Sequence, residues 1–420
     1  MSQSYLPIKG MPDLASPEIE TWQFVESSAH EVLKRYGVRE VRTPILERQE
    51  TFVRAVGDTT DIVQKEMYAF ERGDTIMALR PEGTAGVLRY VASMGVEATD
   101  ARLYYMGPMF RAERMQKGRY RQFGQLGVEI IGTPNPLADV EVMDLQRSLL
   151  EAWGVKDAVF ELNTRGMPED MEAVRSGLRD HLQPRLADLC GDCQRRFEAN
   201  ILRVLDCKNE ACKGIVQTVP PMTDFMREES RAYLAEVEAG LERLQIPFKR
   251  NPLLVRGLDY YVNTVWEITS SALGAQNAVA GGGRYRMDVG DRLIDGVGFG
   301  IGLNRVVMIL AEQDPGLVER LQPQIASLVG LGDEAFADNL RLAQQLRAAG
   351  VPCIMSLEPK SMKAQMKLAN RKGAAFAVIR GETELANGTC QVKRMETGDQ
   401  SEVSIEELES FLRTGMGLNS

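Results

Sequence analysis

The stretch Met109-Phe110-Arg111-Ala112-Glu113-Arg114-Met115-Gln116-Lys117-Gly118-Arg119-Tyr120-Arg121-Gln122-Phe123-Gly124-Gln125-Leu126-Gly127-Val128-Glu129 decides how this chain is read. Leu103–Phe110 and Tyr120–Ile131 have the composition of strands, and a polar loop holding Gly118 joins them. Side chains two apart on a strand share a face. Arg111 and Glu113 therefore point together, as do Phe123, Gln125 and Glu129 on the second strand. An arginine fork matches phosphate oxygens bidentately, and a flat ring such as Phe123 can stack on a base. The loop carries Arg111, Arg114, Lys117, Arg119 and Arg121 against one acid, Glu113, which suits closure over a triphosphate. By residue type alone, an exposed hairpin with a solvated charged tip fits as well.

Outward from the hairpin, Pro17–Tyr36 has helical spacing of Ile19, Trp22, Val25, Val32 and Leu33, with Gly37 as a stop. Val38–Leu46 alternates like a strand, and Asp139–Trp153 is an expected helix. Between about Gly166 and Phe248, charged helical segments surround an irregular, cysteine-containing stretch, as in an inserted domain. Strand character resumes at Leu253–Ile268, and Gly296–Leu310 passes from glycine-rich strand to apolar helix. After a linker near 314–324, expected strands at Ile325–Val329, Cys353–Met355, Phe376–Ile379 and Thr389–Arg394 alternate with helices near Ala335–Ala349, Ser361–Lys372 and Ile405–Thr414. That alternation argues a small α/β domain. The expected division is 1–165 with 249–318, an insertion at 166–248, and a last domain at 325–420.

Three more groupings carry chemistry. Leu79-Arg80-Pro81-Glu82-Gly83-Thr84 sets a carboxylate and a hydroxyl on a turn, where they can hold an ammonium group; in isolation it is also an ordinary turn. Arg256-Gly257-Leu258-Asp259-Tyr260-Tyr261 offers a guanidinium and two phenols able to read a polar small molecule, or else a buried aromatic pair beside a surface arginine. Gly296-Val297-Gly298-Phe299-Gly300-Ile301-Gly302 keeps one strand face bare, so that a flat ring can lie against backbone, with Arg305 at the next helix start. Its glycine spacing fails the dinucleotide fingerprint, and no phosphate loop of the Gly-x4-Gly-Lys type occurs.

Composition narrows the field. The net charge of −9 excludes binding of nucleic acid through an overall basic field. Polyanion contact must use local patches: the hairpin loop, and Lys360, Lys363, Lys367, Arg371 and Lys372. Lys363, Lys367 and Arg371 recur every four residues, so they align as either a phosphate-binding stripe or a solvated helix face. With only His30 and His181, chemistry falls to Arg, Glu, Gln and Tyr. No apolar run approaches the ~20 residues of a membrane span, and Met1–Gly10 lacks a signal-peptide pattern; the expected address is the cytoplasm.

Phe110–Arg114 with Gly118–Phe123 resembles motif 2 of class II aminoacyl-tRNA synthetases. Gly298–Arg305 resembles motif 3, and Pro44 after the first helix resembles motif 1. Arg256–Tyr261 and Gly282-Gly283-Arg284-Tyr285 are similar to the two histidine signatures of the histidyl-tRNA synthetase family. The likeness runs from Ile8-Lys9-Gly10 to the last domain, where Lys363-Ala364-Gln365 and Ala386-Asn387-Gly388-Thr389 resemble an anticodon-binding domain. It implies an α+β protein: an antiparallel-sheet class II catalytic domain with a helical insertion, plus a C-terminal α/β anticodon-binding domain. It implies ATP with Mg²⁺, L-histidine and tRNA(His) as partners, no organic cofactor, and a homodimer.

The resemblance also assigns roles. Arg111, Glu113, Arg119, Phe123 and Arg305 would bind ATP, with Arg111 and Arg305 on the α- and γ-phosphates and Phe123 on adenine. Glu82, Gly83 and Thr84 would take the amino group of histidine. Gln125, Glu129, Tyr260, Tyr261 and Tyr285 would surround the substrate, with Glu129 and Tyr261 reading the imidazole nitrogens. Arg256, with Arg111, would be catalytic, meeting charge that develops at the α-phosphorus. The sequence departs from the family at Gly124, where His is frequent, at Asn304, where Glu is frequent, and at Arg286-Met287-Asp288 after Tyr285.

Cys190-x2-Cys193 and Cys207-x4-Cys212 have spacing compatible with four thiolates around zinc. The x4 pair is loose, however, and nothing in the resemblance requires a metal, so reduced cysteines without a metal are the expectation. The competing family is the regulatory subunit of ATP phosphoribosyltransferase, which shares the core but usually lacks the last domain and the Arg256- and tyrosine-type residues. A class I synthetase is excluded, because its His-Ile-Gly-His motif cannot be built from His30 and His181.

Overall fold

The computed structural model describes residues 5–57, 60–94, 101–256, 260–289 and 292–418, with the backbone alone at 275, 276, 289 and 292. Gly257, Leu258 and Asp259 of the quoted signature lie outside the described residues. The chain forms two compact units, Met1–Arg320 and Leu321–Ser420.

An eight-stranded sheet organises the first unit. Its spatial order is Arg39–Glu40, Ala101–Phe110, Gln122–Ile131, Arg292–Gly302, Ala278–Val289, Tyr261–Thr269, Val159–Thr164 and Phe248–Arg250. The two outermost pairings are parallel and the rest antiparallel. Because strand side chains alternate, Leu126, Val128, Ile130, Val297, Phe299 and Ile301 go to one face. There they pack against helices Ile19–Arg35, Pro136–Trp153, Glu228–Arg243 and Leu303–Gln313. The other face carries Tyr105, Met109, Tyr261, Val265 and Tyr285 against helices Gln49–Val56 and Thr84–Ser93. This second face holds the candidate site. The α+β architecture with a largely antiparallel sheet is the one expected.

Two expected strands are shorter than their composition implied. Between Val38 and Leu46 only Arg39–Glu40 and Leu46–Arg48 pair. Pro44 has no N–H for a ladder, and the Thr43 carbonyl is taken by the Arg80 guanidinium at 2.9 Å. Of the described residues in Leu253–Ile268, those from Tyr261 onward form a strand, while the carbonyl of Leu254, like that of Pro252, accepts from the Asn163 amide instead of from a neighbouring strand.

Inside the first unit, residues from Val174 to Met226 build a hydrophobic cluster of their own. Helix Met171–Leu182 and the short helices Gly191–Ala199, Leu202–Leu205 and Glu210–Val216 contribute to it. The second unit is a five-stranded sheet in the order Cys353–Met355, Ala326–Gly330, Phe376–Arg380, Thr389–Arg394, Gln400–Ser404. Helices Asp333–Ala348, Met362–Arg371 and Leu408–Met416 fall near their expected places. Strand Gln400–Ser404 and helix Glu382–Asn387 were not anticipated, since both are mostly exposed and polar. No helix among the described residues is long and apolar enough to cross a membrane.

Candidate active site

Strand register sets the floor of the site. Glu129 lies opposite Gly298, Gly127 opposite Gly300, and Gln125 opposite Gly302. A Cβ on Gly298 would stand 2.0 Å from Glu129 Oε2, and one on Gly300 2.4 Å from Gln125 Nε2. The alternating glycines thus make room for side chains of the neighbouring strands. The expected bare face is largely covered in this way: Tyr285 lies across Gly296, Glu129 across Gly298 and Gln125 across Gly300.

The Pro81-Glu82-Gly83-Thr84 turn is the start of a helix. Glu82 is buried, and its carboxylate accepts from the backbone N–H groups of Thr84 and Ala85, both at 2.8 Å. That arrangement satisfies donors a helix leaves open at its N-terminus. Thr84 Oγ1 in turn donates to Glu129 Oε1 at 2.7 Å, joining positions 45 residues apart. Gly83 and Gly127 sandwich the buried ring of Tyr105, which a Cβ on either would strike at 2.1–2.2 Å.

Tyr260, Tyr261 and Tyr285 form the side wall. Ring centroids of Tyr260 stand 4.7 Å from Tyr261 and 5.8 Å from Tyr285. With Glu82, Thr84, Glu129 and Arg256 they enclose a cavity of about 80 Å³. Gln125, Glu129 and Tyr285 line it with buried polar groups, and the Gln125 Oε1 atom has no hydrogen-bond partner among the described residues. Buried polar atoms are ordinarily paired, so this pocket is chemically suited to a small ligand with both donors and acceptors. Burial is the largest influence on Glu129, whose carboxyl is pushed up to about 8 although the Thr84 bond pulls it down. Burial likewise raises Glu82 and the phenols of Tyr105, Tyr260, Tyr261 and Tyr285, so the phenols remain donors at neutral pH.

Arg256 stands at the mouth. Its Nη1 donates to Glu267 Oε1 at 2.8 Å, and its guanidinium lies on Gly281, where a Cβ would be 2.2 Å from Nη2. Beyond it opens a second cavity of about 300 Å³, which shares Arg111, Gln125, Arg256, Gly281 and Gly300 with the first. Phe123 lines it, with the Arg111 guanidinium 5.3 Å from its ring centroid. Arg111 Nε donates to the Pro81 carbonyl at 2.8 Å, tying the two motif segments together. Glu113 lies within 3.2 Å of Arg119 and 3.6 Å of Arg111. Arg305 completes the wall and donates to the carbonyls of Ala278 and Gly118.

The structure therefore brings the sequence-assigned side chains to one connected site, and Gly83, which lines neither cavity, packs against the Tyr105 ring. Arg284, quoted beside Tyr285, points to the opposite face of the sheet and is held by Asp139 and Asp295 in the core. Two departures from the family pattern meet: Asn304 Oδ1 accepts from Gly124 N–H at 2.8 Å, and Trp22 occupies the space a side chain at 124 would fill. Tyr105, Glu267 and Gly281 were not assigned from the sequence. Glu267 was within reach, since alternation from Tyr261 puts it on the site face. Tyr105 offered no signal of its own.

A family model described as histidyl-tRNA synthetase matches residues 10–306, and one described as an anticodon binding domain matches residues 325–414. The chain is 41% identical over 411 residues to the histidine–tRNA ligase of Syntrophotalea carbinolica, covering 96% of this chain and 97% of that one. Identity to the histidine–tRNA ligase of Bacillus cytotoxicus is 42% over 414 residues, with 96% and 97% covered. The solved structure of apo S. aureus histidyl-tRNA synthetase superposes with a TM-score of 0.79 at 31% identity, covering 97% and 99% of the two chains. A Bacillus halodurans structure described as an ATP phosphoribosyltransferase regulatory subunit/histidyl-tRNA synthetase shares the fold at a TM-score of 0.63 and 21% identity, over 91% and 98%. By these matches along nearly its whole length, the chain belongs to the histidyl-tRNA synthetase family.

Proposed function

We propose that this protein is a histidine–tRNA ligase, which activates L-histidine with ATP to histidyl-adenylate and pyrophosphate and then transfers histidine to the 3′ end of tRNA(His). The observation that carries this reading is the pair of joined cavities. The smaller is lined by the buried polar groups of Gln125, Glu129 and Tyr285, and the larger by Phe123, Arg111 and Arg305. Neutral imidazole has one donor and one acceptor. A pocket offering both kinds of partner discriminates strongly against apolar side chains, which would leave its buried groups unpaired.

Glu82, Gly83 and Thr84 would receive the amino group, while Gln125, Glu129, Tyr260, Tyr261 and Tyr285 would enclose the ring. Phe123 would stack on adenine, and Arg111 and Arg305 would hold the α- and γ-phosphates, with Glu113 and Arg119 closing the loop over them. The histidine carboxylate attacks the α-phosphorus, a new P–O bond forms, and the bond to the β-phosphate breaks as pyrophosphate leaves. Arg256, already between the cavities, is placed to meet the charge that develops. Rate enhancement then comes from position and fixed electrostatics, without a covalent enzyme intermediate. Mg²⁺ accompanies ATP in this scheme. Glu113 supplies the oxygen ligand type such an ion takes, and the ion would neutralise phosphate charge.

The proposal includes the threefold division into 1–165 with 249–318, 166–248 and 325–420, a cytoplasmic location and a homodimer. Exposed Ile45, Leu46, Phe70 and Ile76, on and beside the three-stranded sheet Leu46–Arg48, Thr75–Leu79, Ala69–Arg72, support a subunit contact. Sedimentation velocity is expected to give a dimer at micromolar concentration, and a monomer throughout would refute that part.

Histidine-dependent exchange of labelled pyrophosphate into ATP tests the chemistry. Wild-type protein is expected to exchange with histidine alone, and Arg256→Ala to lose roughly 10²–10³ of the rate, as for a removed transition-state donor. Folded wild-type protein without exchange would favour a regulatory binding role.

A further inference from the structure

The four cysteines of the insertion converge. Cys190, Cys193, Cys207 and Cys212 come from two separate segments, yet their sulfurs all lie within 4.8 Å of one another. Cys190 Sγ and Cys207 Sγ are 3.8 Å apart. Tetrahedral zinc with Zn–S bonds of about 2.3 Å sets its sulfurs about 3.8 Å apart. The Cys190 N–H also donates to Cys212 Sγ at 3.2 Å, so one sulfur of the second pair is already oriented by backbone of the first. Cys193 and Cys212 are fully buried, whereas Cys190 and Cys207 are partly exposed, which leaves an entry path for an ion.

The surroundings need such a tie. Helices Gly191–Ala199, Leu202–Leu205 and Glu210–Val216 have nine, four and seven residues. Helices this short do not persist on intrinsic propensity, and their shared core is small. Cys190 is the residue before the first of these helices, and its side chain makes no cap to that helix. Cys193 lies one turn on, Cys207 follows the second helix, and Cys212 lies within the third. Crosslinking these four points fixes all three helices at once.

We infer that Cys190, Cys193, Cys207 and Cys212 bind one zinc ion as a closed tetrathiolate site that holds the insertion together. With four protein ligands no position is open to substrate, so the role is structural. The ion also fixes a wall of the active-site cleft. Cys207, Arg203, Lys208 and Lys213 line a cavity of about 870 Å³ whose other side is Arg111, Arg256 and Arg305. The spacing of the cysteines alone does not require a metal; the convergence of their four sulfurs in space is what points to one.

The test uses the full-length protein, isolated under reducing conditions without added metal. Elemental mass spectrometry is expected to find about one zinc per chain, released by a mercurial in step with thiol titration. Replacement by Co²⁺ alone should give the intense visible bands of a tetrahedral thiolate complex. Cys190→Ser and Cys207→Ser, at the partly exposed positions, should lose most of the zinc, while Cys390→Ser, in the other unit, should keep it. The wild-type readings do not depend on whether a variant folds. Cooperatively melting wild-type protein that carries no zinc and gives no tetrahedral Co²⁺ spectrum would overturn the inference. So would two disulfides among the four cysteines in protein kept reduced.

Discussion

Glu129 is buried on the sheet and accepts a hydrogen bond from Thr84 through one oxygen. Its carboxyl titrates near 8 instead of 4.5, chiefly because burial penalises the charge. Between those values the folded state keeps a proton that the unfolded chain has released. The associated stability is therefore full below about 4.5 and is lost as pH rises through about 8. Glu129→Gln carries no charge to bury. Without histidine it should melt several degrees above wild type at about pH 8.5, and the gap should shrink toward about pH 5.5. Thermal denaturation at both pH values measures this, and a gap constant with pH would show that Glu129 does not titrate there. Glu129 itself was legible in the sequence, since alternation from Phe123 puts it on the same face. Its bond to Thr84 was not, because no local pattern states which of many distant hydroxyls a buried carboxylate will meet.

At the scale of elements, legibility depended on periodicity. The hairpin Ala101–Phe110 and Gln122–Ile131 was legible because apolar and functional residues alternate over ten-residue strands. The course of Pro252 to Leu254 was not, since their backbone is held by the Asn163 side chain from another strand. Asn263, at φ 47°, falls where the pairing of this strand slips, between Val262 and Val265. That bulge sets two extra residues, Asn263 and Thr264, into this strand, so Val265 and Glu267 stay on the face of Tyr261 as alternation has it, while the pairing with the next strand shifts. Helix Met362–Arg371 is the other case. Gln365 and Ala369 are buried while Lys363, Lys367 and Arg371 are exposed along one side, as their spacing of four implied. Replacing all three by alanine should weaken tRNA binding and lower its log–log salt slope by about 2–3, with exchange in the absence of tRNA unchanged. Filter binding across a salt series measures the slope. An unaltered slope would identify the stripe as a solvated face.

For the whole molecule, the decisive fact is that the two units have separate cores. The clusters around the large sheet draw on residues up to Leu317, while those of the second unit begin at Ala326. Each residue assigned to histidine or ATP lies in the first unit. The exposed Lys363, Lys367 and Arg371 stripe lies in the second. With a net charge of −9, the chain cannot attract tRNA through its overall field, so local patches must supply that attraction. Activation and tRNA capture should then separate when the units do. A chain ending at Arg320 is expected to remain folded and to exchange pyrophosphate with histidine at a rate within a few-fold of the intact protein. Its charging of tRNA(His) at low tRNA concentration should fall by about tenfold or more, the equivalent of losing about 1.4 kcal/mol of binding. Parallel exchange and aminoacylation assays on the two chains measure the split. Equal loss of both activities from a folded truncated chain would mean that the second unit supports the catalytic site as well as tRNA binding.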